Sequence, residues 1–351
     1  MPPAWVRRLV FGPLVVALAV LLLTTLPFWL IVGVALSPFM PGHLRVPRLI
    51  WLAIVYVVWD AAALVALAAL WVASGFGWKI RSPGFQRAHY VLTGNFLGVL
   101  FWLARWSLHL TVDVVGTDPD TALPGRPEVV VGRHAGPGDS FILIHALVNW
   151  FAREPRIVLK ATLQWDPAVD VLLNRLPNRF ISPGHTHTRS LEQEIHDLAT
   201  GLDDNDAFVI FPEGGNFTPR RRTRAIARLH DRGLPDLARR AENLRNVLPP
   251  KPGGLFTAID AAPDSGVIFV AHTGLDRMLT VGDVWRELPM DKQLVMRFWS
   301  VPPEEIPAGE EARIAWLYDW WARIDAWIDE NRPAPRPLST DWTARRRPVD
   351  V

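Results

Sequence analysis

The residues from Leu9 to Leu36, LVFGPLVVALAVLLLTTLPFWLIVGVAL, carry no charge. This run exceeds the ~20 apolar residues with which a helix crosses a bilayer, so the chain has to be fitted to a membrane before anything else is read from it. A secretory signal is the competing reading, but the stretch is longer than a signal's apolar core and no small-residue cleavage site closes it. After the short connection SPFMPGHLRVPR a second apolar stretch follows at Leu49–Ala73, interrupted only by Asp60. Spans over residues 9–36 and 49–73 make a hairpin, and a hairpin returns the chain to its starting side. Asp60 beside Trp59 is expected to serve helix packing, since a charge inside a span faces protein or the interface. Arg7, Arg8, Lys79, Arg81 and Arg87 lie on the side of the chain's bulk, against Arg45 and Arg48 in the connection. That bias predicts an integral membrane protein whose main domain faces the cytoplasm.

Half of all residues are hydrophobic, and this apolar excess is gathered mostly before residue 110. The chain has no Cys, which removes disulfides, thiolate metal sites and cysteine nucleophiles together. A formal net charge of +2 is modest and implies no nucleic-acid partner.

Residues 1–78 are therefore expected to form the membrane hairpin and residues 79–330 an α/β domain. Within the latter, Asn95–Leu110, apolar but carrying Arg105 and His109, suits a helix along the headgroup boundary, with a buried core helix as the equal alternative. Short apolar runs at Leu110–Val115, Val129–Val131, Ile157–Leu159, Phe208–Phe211 and Val267–Val270 read as strands. Helix-like stretches, among them Phe141–Arg153 and Leu191–Leu202, separate them. That alternation predicts a mixed, mainly parallel sheet flanked by helices. Ile314, Leu317, Trp321, Ile324 and Ile328 recur at spacings of three and four and describe a last amphipathic helix. The Pro- and Arg-rich tail 331–351 is expected to lack stable structure.

In VVVGRHAGPGDSFIL, His134 directly follows a buried-strand run, and Asp139 stands beyond a turn forced by Gly136, Pro137 and Gly138. Such a turn can fold the carboxylate against the imidazole, fixing its tautomer and stabilising the imidazolium; that is a general base with its orienter. The bland reading has Asp139 merely capping the following helix. In AFVIFPEGGNFTPRRR, the run Phe208–Phe211 breaks into Pro212, Glu213, Gly214 and Gly215. A carboxylate followed by glycines at a strand end is a common ligand position in α/β proteins, although the same residues could be only a turn.

These two motifs, in this order and behind a membrane hairpin, resemble the glycerolipid acyltransferases typified by 1-acylglycerol-3-phosphate acyltransferase. The family's H-x4-D looks like His134–Asp139, and its F-P-E-G is matched by Phe211–Gly214. Val158-Leu159-Lys160 is similar to the family's lysine-ended strand, Phe180-Ile181 to its F-I-x-R, and Asn246–Asp260 to a Pro-Gly segment of some branches. The resemblance covers roughly residues 90–275. Gly215 and Asn216 stand where the family usually has Thr and Arg after F-P-E-G, Pro183 replaces the Arg of F-I-x-R, and the last motif's Pro is missing from Val267–Ala271.

The resemblance implies an enzyme of phospholipid biosynthesis that moves a fatty acyl group from acyl-CoA to the hydroxyl of lysophosphatidic acid, another lysophospholipid or a related glycerolipid. His134 would be the general base and Asp139 its orienter. Backbone N–H groups at Gly138 and Ser140 would serve the oxyanion. Glu213, Gly214, Gly215, Lys160, Arg220 and Arg222 would contact or support the acceptor, while the arginines downstream of the motif could equally form a solvated or lipid-facing patch. No cofactor and no metal is expected beyond the acyl-CoA substrate. A lipid hydrolase or transacylase acting through Ser140 is the runner-up, with no G-x-S-x-G elbow to support it. A metal enzyme would rest on His185 and His187, and a non-catalytic membrane scaffold on the altered arginine positions.

Overall fold

The computed structural model describes residues 1–39, 44–116, 119–136, 138–181, 191–276, 282 and 292–333. Its first helix, α1, runs from Ala4 to Thr24 and is π-wound over Arg7–Phe11. Helix α2 follows at Leu26–Leu36, with Pro27 in its first turn. The uncharged run expected to form one helix is thus two, because Pro27 has no N–H to continue the hydrogen-bond ladder. Helix α3, Arg45–Ala73, packs against both. Helices α1 and α3 are each long and apolar enough to cross a membrane.

The hairpin is not isolated from the rest of the chain. Asp170, in helix α6 (Pro167–Arg175), is fully buried. Its carboxylate takes Arg7 Nη2 at 2.7 Å on one oxygen and Arg8 Nε at 3.0 Å on the other. Tyr56 of α3 donates its hydroxyl to Asp166, which also hydrogen-bonds Asp60. Asp60 therefore does serve packing, as the sequence suggests, but between α3 and the α/β domain. Arg175 Nη1 completes the seam with a 2.8 Å bond to the Leu67 carbonyl.

Helix α4, Pro83–Leu108, begins twelve residues before the expected segment. Tyr90, Leu97 and Phe101 are buried, as the core-helix alternative expects, while Trp102 and Trp106 stand exposed. It leads to a seven-stranded sheet in the order β1-β7-β6-β2-β5-β3-β4. The strands are β1 Thr111–Val115, β2 Glu128–Gly132, β3 Glu154–Lys160, β4 Arg179–Ile181, β5 Asp206–Ile210, β6 Gly266–Thr273 and β7 Gln293–Val301. Every neighbouring pair is parallel except β6 with β7. Val129, Val130 and Val131 of β2 have no exposed surface, as a near-continuous apolar run demands when both faces of a parallel sheet are covered.

One face of the sheet packs Val129, Val131 and Phe208 against helices α7 (Leu191–Ala199), α10 (Pro252–Ala261) and α11 (Glu310–Asn331). Leu317, Trp321, Ile324 and Ile328 of α11 lie in that core. The other face packs Val130 and Val209 against Phe101 of α4 and Ile142, Leu143 and Ala146 of α5, Gly138–Asn149. Between β5 and α10 stand two polar helices, α8 (Pro219–Asp231) and α9 (Pro235–Glu242). The tail residues 334–351 lie outside the described residues.

Candidate active site

Strand β2 leaves the sheet at Gly132, and its ladder extends one residue further through Arg133 N–H to the Val270 carbonyl. His134 is the first residue beyond it. Its N–H donates to Glu213 Oε1 at 2.9 Å, and its carbonyl accepts from Phe217 N–H at 2.8 Å. The peptide of the candidate base is thus held on both sides by the segment that follows β5, the strand next to β2 in the sheet. The half-buried imidazole lies 4.9 Å from the ring of Phe211 at a tilt of 34°.

Glu213 is 3% exposed, and its second oxygen accepts from Leu248 N–H at 2.8 Å. One carboxylate therefore joins three segments: the exit of β2, the exit of β5 and the loop before α10. Each of its oxygens thus has a main-chain donor. Both oxygens are turned to the backbone, which makes Glu213 a support of the site rather than an open contact.

The chain turns sharply after Glu213. Gly214 N–H bonds back to the Phe211 carbonyl at 3.1 Å, and Gly214 has φ +67. Glycine is needed here twice over, since a Cβ would also fall 2.7 Å from Lys251 Nζ. Lys251 N–H in turn bonds the Pro212 carbonyl at 2.9 Å. The exposed ammonium of Lys251 accordingly lies over the turn. Gly215 is flanked on its own side by Arg221, whose Nη1 donates to the Asn216 carbonyl at 3.0 Å.

Of the other residues singled out in the sequence, Lys160 is exposed at the last position of β3, on the carboxyl edge that β2 and β5 share. Arg220 is exposed in the first turn of α8, behind the Thr218 N-cap. Arg222 faces away from the turn, because its Nε and Nη2 donate to the carbonyls of Leu244 and Glu242. Gly138, Asp139 and Ser140 are the first three residues of α5, where N–H groups lack intrahelical acceptors and the helix dipole favours negative charge. The Asp139 side chain and residues Pro137, Pro183, His185 and His187 lie outside the described residues. Lys251, between two prolines in LPPKPGG, belongs to neither motif, and no signal in the sequence places it over the Gly214 turn.

Residues 113–273 match the Acyltransferase family model. Among solved structures, the 1-acyl-sn-glycerophosphate (LPA) acyltransferase PlsC from Thermotoga maritima is 15% identical, over 93% of this chain and 99% of that one, with a TM-score of 0.44. No curated protein sequence matches the chain. The matched segment runs from β1 to the last residue of β6 and contains His134, Glu213 and the sheet edge between them, so the part of the chain that is similar to the acyltransferase family is the part that builds this site.

Proposed function

We propose that this chain is a membrane-bound O-acyltransferase that moves a fatty acyl group from acyl-CoA to the hydroxyl of a lysophospholipid or related glycerolipid. The observation that carries the reading is the double fixation of the His134 peptide, by Glu213 Oε1 at 2.9 Å and Phe217 N–H at 2.8 Å, inside the segment that matches the family. A base held this firmly at the carboxyl end of a buried strand is preorganised for proton transfer.

In this mechanism His134 takes the proton of the acceptor hydroxyl, and Asp139 orients the imidazole and stabilises its cation. The alkoxide attacks the thioester carbonyl. The resulting oxyanion is met by N–H groups of the first turn of α5, at Gly138 and Ser140. Collapse expels the thiolate, which recovers the proton from the imidazolium, so no acyl-enzyme is formed. Lys160, Arg220, Lys251 and the Gly214–Gly215 turn are assigned to the acceptor headgroup. Glu213 holds the backbone of the base, and Arg222, bonded to two carbonyls, is structural.

The hairpin and the exposed Trp102 and Trp106 of α4 suit substrates that partition to a bilayer. The Arg7 and Arg8 pairs with Asp170 keep the N-terminus beside the domain, in keeping with a cytoplasmic location for both. The deciding experiment is transfer from radiolabelled long-chain acyl-CoA to a panel of lysolipids in vesicles, comparing the intact protein with His134→Ala. Product is expected only from the intact protein. Full activity in the folded variant, or no transfer to any acceptor, would overturn the reading.

A further inference from the structure

We propose that Arg133 and Asp276 are positioning residues for His134. The proposal rests on the reading of His134 as the base and names the device that sets its direction.

Arg133 is 1% exposed, one of the largest wholly buried side chains of the molecule. Its Nη1 lies 2.6 Å from Asp276 Oδ1 and donates at 2.6 Å to the carbonyl of His272. Asp276 is itself fixed, because its Oδ2 accepts from Thr273 Oγ1 at 2.7 Å and from Gly274 N–H at 2.9 Å. The turn that presents it cannot shift easily: Gly274 has φ +117, and a Cβ there would fall 2.0 Å from the Gln293 carbonyl oxygen. Strand β2 thus ends in two consecutive residues anchored to different strands. Arg133 is tied to the end of β6 through its N–H and its guanidinium, and His134 to the end of β5 through both sides of its peptide.

A buried ion pair is a poor device for stability alone, since apolar replacement of both partners is often neutral or better. As a positioning device it is well suited, because a guanidinium held by both the Asp276 carboxylate and the His272 carbonyl restrains the chain immediately before the base. Burial alone would raise the Asp276 carboxyl, but the Arg133 guanidinium, the Gly274 N–H, the Thr273 hydroxyl and His272 hold it at about 2. It is therefore anionic wherever an imidazole titrates, and it offsets the cation next to His134.

Single changes should move the base in opposite directions. Among the described side chains, the charged and titratable groups on the elements that meet at His134 are Arg133, Glu213 after β5, Lys251 over the Gly214 turn, and His272 and Asp276 at β6. Asp276→Asn leaves the arginine uncompensated, disfavours the imidazolium and lowers the acid limb of kcat/KM. Arg133→Met leaves the carboxylate uncompensated and raises that limb.

The test is the pH profile of acyl transfer to lysolipid vesicles by the full-length protein, with thermal unfolding measured alongside. The two single variants are expected to shift the acid limb in opposite senses, and the double variant Arg133→Met/Asp276→Asn to return it to the wild-type position. In all three kcat should stay about ten- to a hundredfold low, the scale of a misplacement near 1 Å, with KM little changed. Should Arg133→Met fail to fold, the near-isosteric Asp276→Asn decides alone. Folded variants with wild-type kcat and an unmoved limb would overturn the proposal while a dead His134→Ala left the base reading standing. An active His134→Ala would overturn both.

Discussion

Glu213 accepts from two main-chain amides, those of His134 and Leu248, while 3% exposed. Glutamine in its place has one accepting oxygen, so one buried N–H would face an amide NH2. An unsatisfied buried donor costs about 1–3 kcal/mol. Glu213→Gln is therefore expected to lower the melting temperature and to reduce kcat about tenfold or more by loosening the His134 peptide. The check is kcat and KM together: a rise in acceptor KM at unchanged kcat would show that Glu213 meets substrate instead. The motif made Glu213 conspicuous in the sequence, but its two backbone partners lie 79 and 35 residues away. The setting of Arg222 was hidden for the same reason. An arginine after a glycine turn reads as a phosphate contact, and only the closeness of Leu244 and Glu242 shows where its donors go.

Among the elements, α1 and α3 announced themselves by length and apolar content, whereas their seam with α6 did not. Asp170 gathers Arg7 and Arg8 from a segment 163 and 162 residues away. Removing one partner of a buried pair commonly costs ~3–5 kcal/mol because the other charge is left buried. Asp170→Ala is expected to free the first turns of α1, seen as faster hydrogen exchange and easier proteolysis of the N-terminal ten residues, with kcat in detergent unchanged. Continued protection of that segment would show that apolar packing alone holds it. The strands divide similarly. The sequence readings placed β1, β2, β3, β5 and β6 on apolar runs that the structure bears out, because such runs between turn residues have few other folds open to them. They passed over β4, only three residues long, and β7, which has no sharp boundary in sequence and enters antiparallel to β6.

At the scale of the whole molecule, the hairpin has helices apolar enough to cross a membrane and is tied to the α/β domain by Asp166, Asp170 and Arg175 of the α6 segment. Hydrocarbon does not accommodate charged residues without partners, so the stretch of α3 from Tyr56 to Leu67 that meets these groups has protein on one side. Deleting residues 1–75 is accordingly expected to lower the melting temperature. Transfer to long-chain lysolipids in vesicles should fall more than transfer from soluble short-chain thioesters. Equal losses on both would assign the hairpin a folding role alone. The sequence by itself determined the apolar hairpin, the alternating α/β pattern and the residues His134, Asp139 and Glu213, because each is a local pattern of residue type and spacing. Only the tertiary structure decided that β7 lies between β1 and β6, that one carboxylate spans His134 and Leu248, and that Arg133 is tied to the end of β6. Those outcomes depend on which of several similar apolar strands become neighbours, and strands with the same alternation carry no label of their partners until the sheet is assembled.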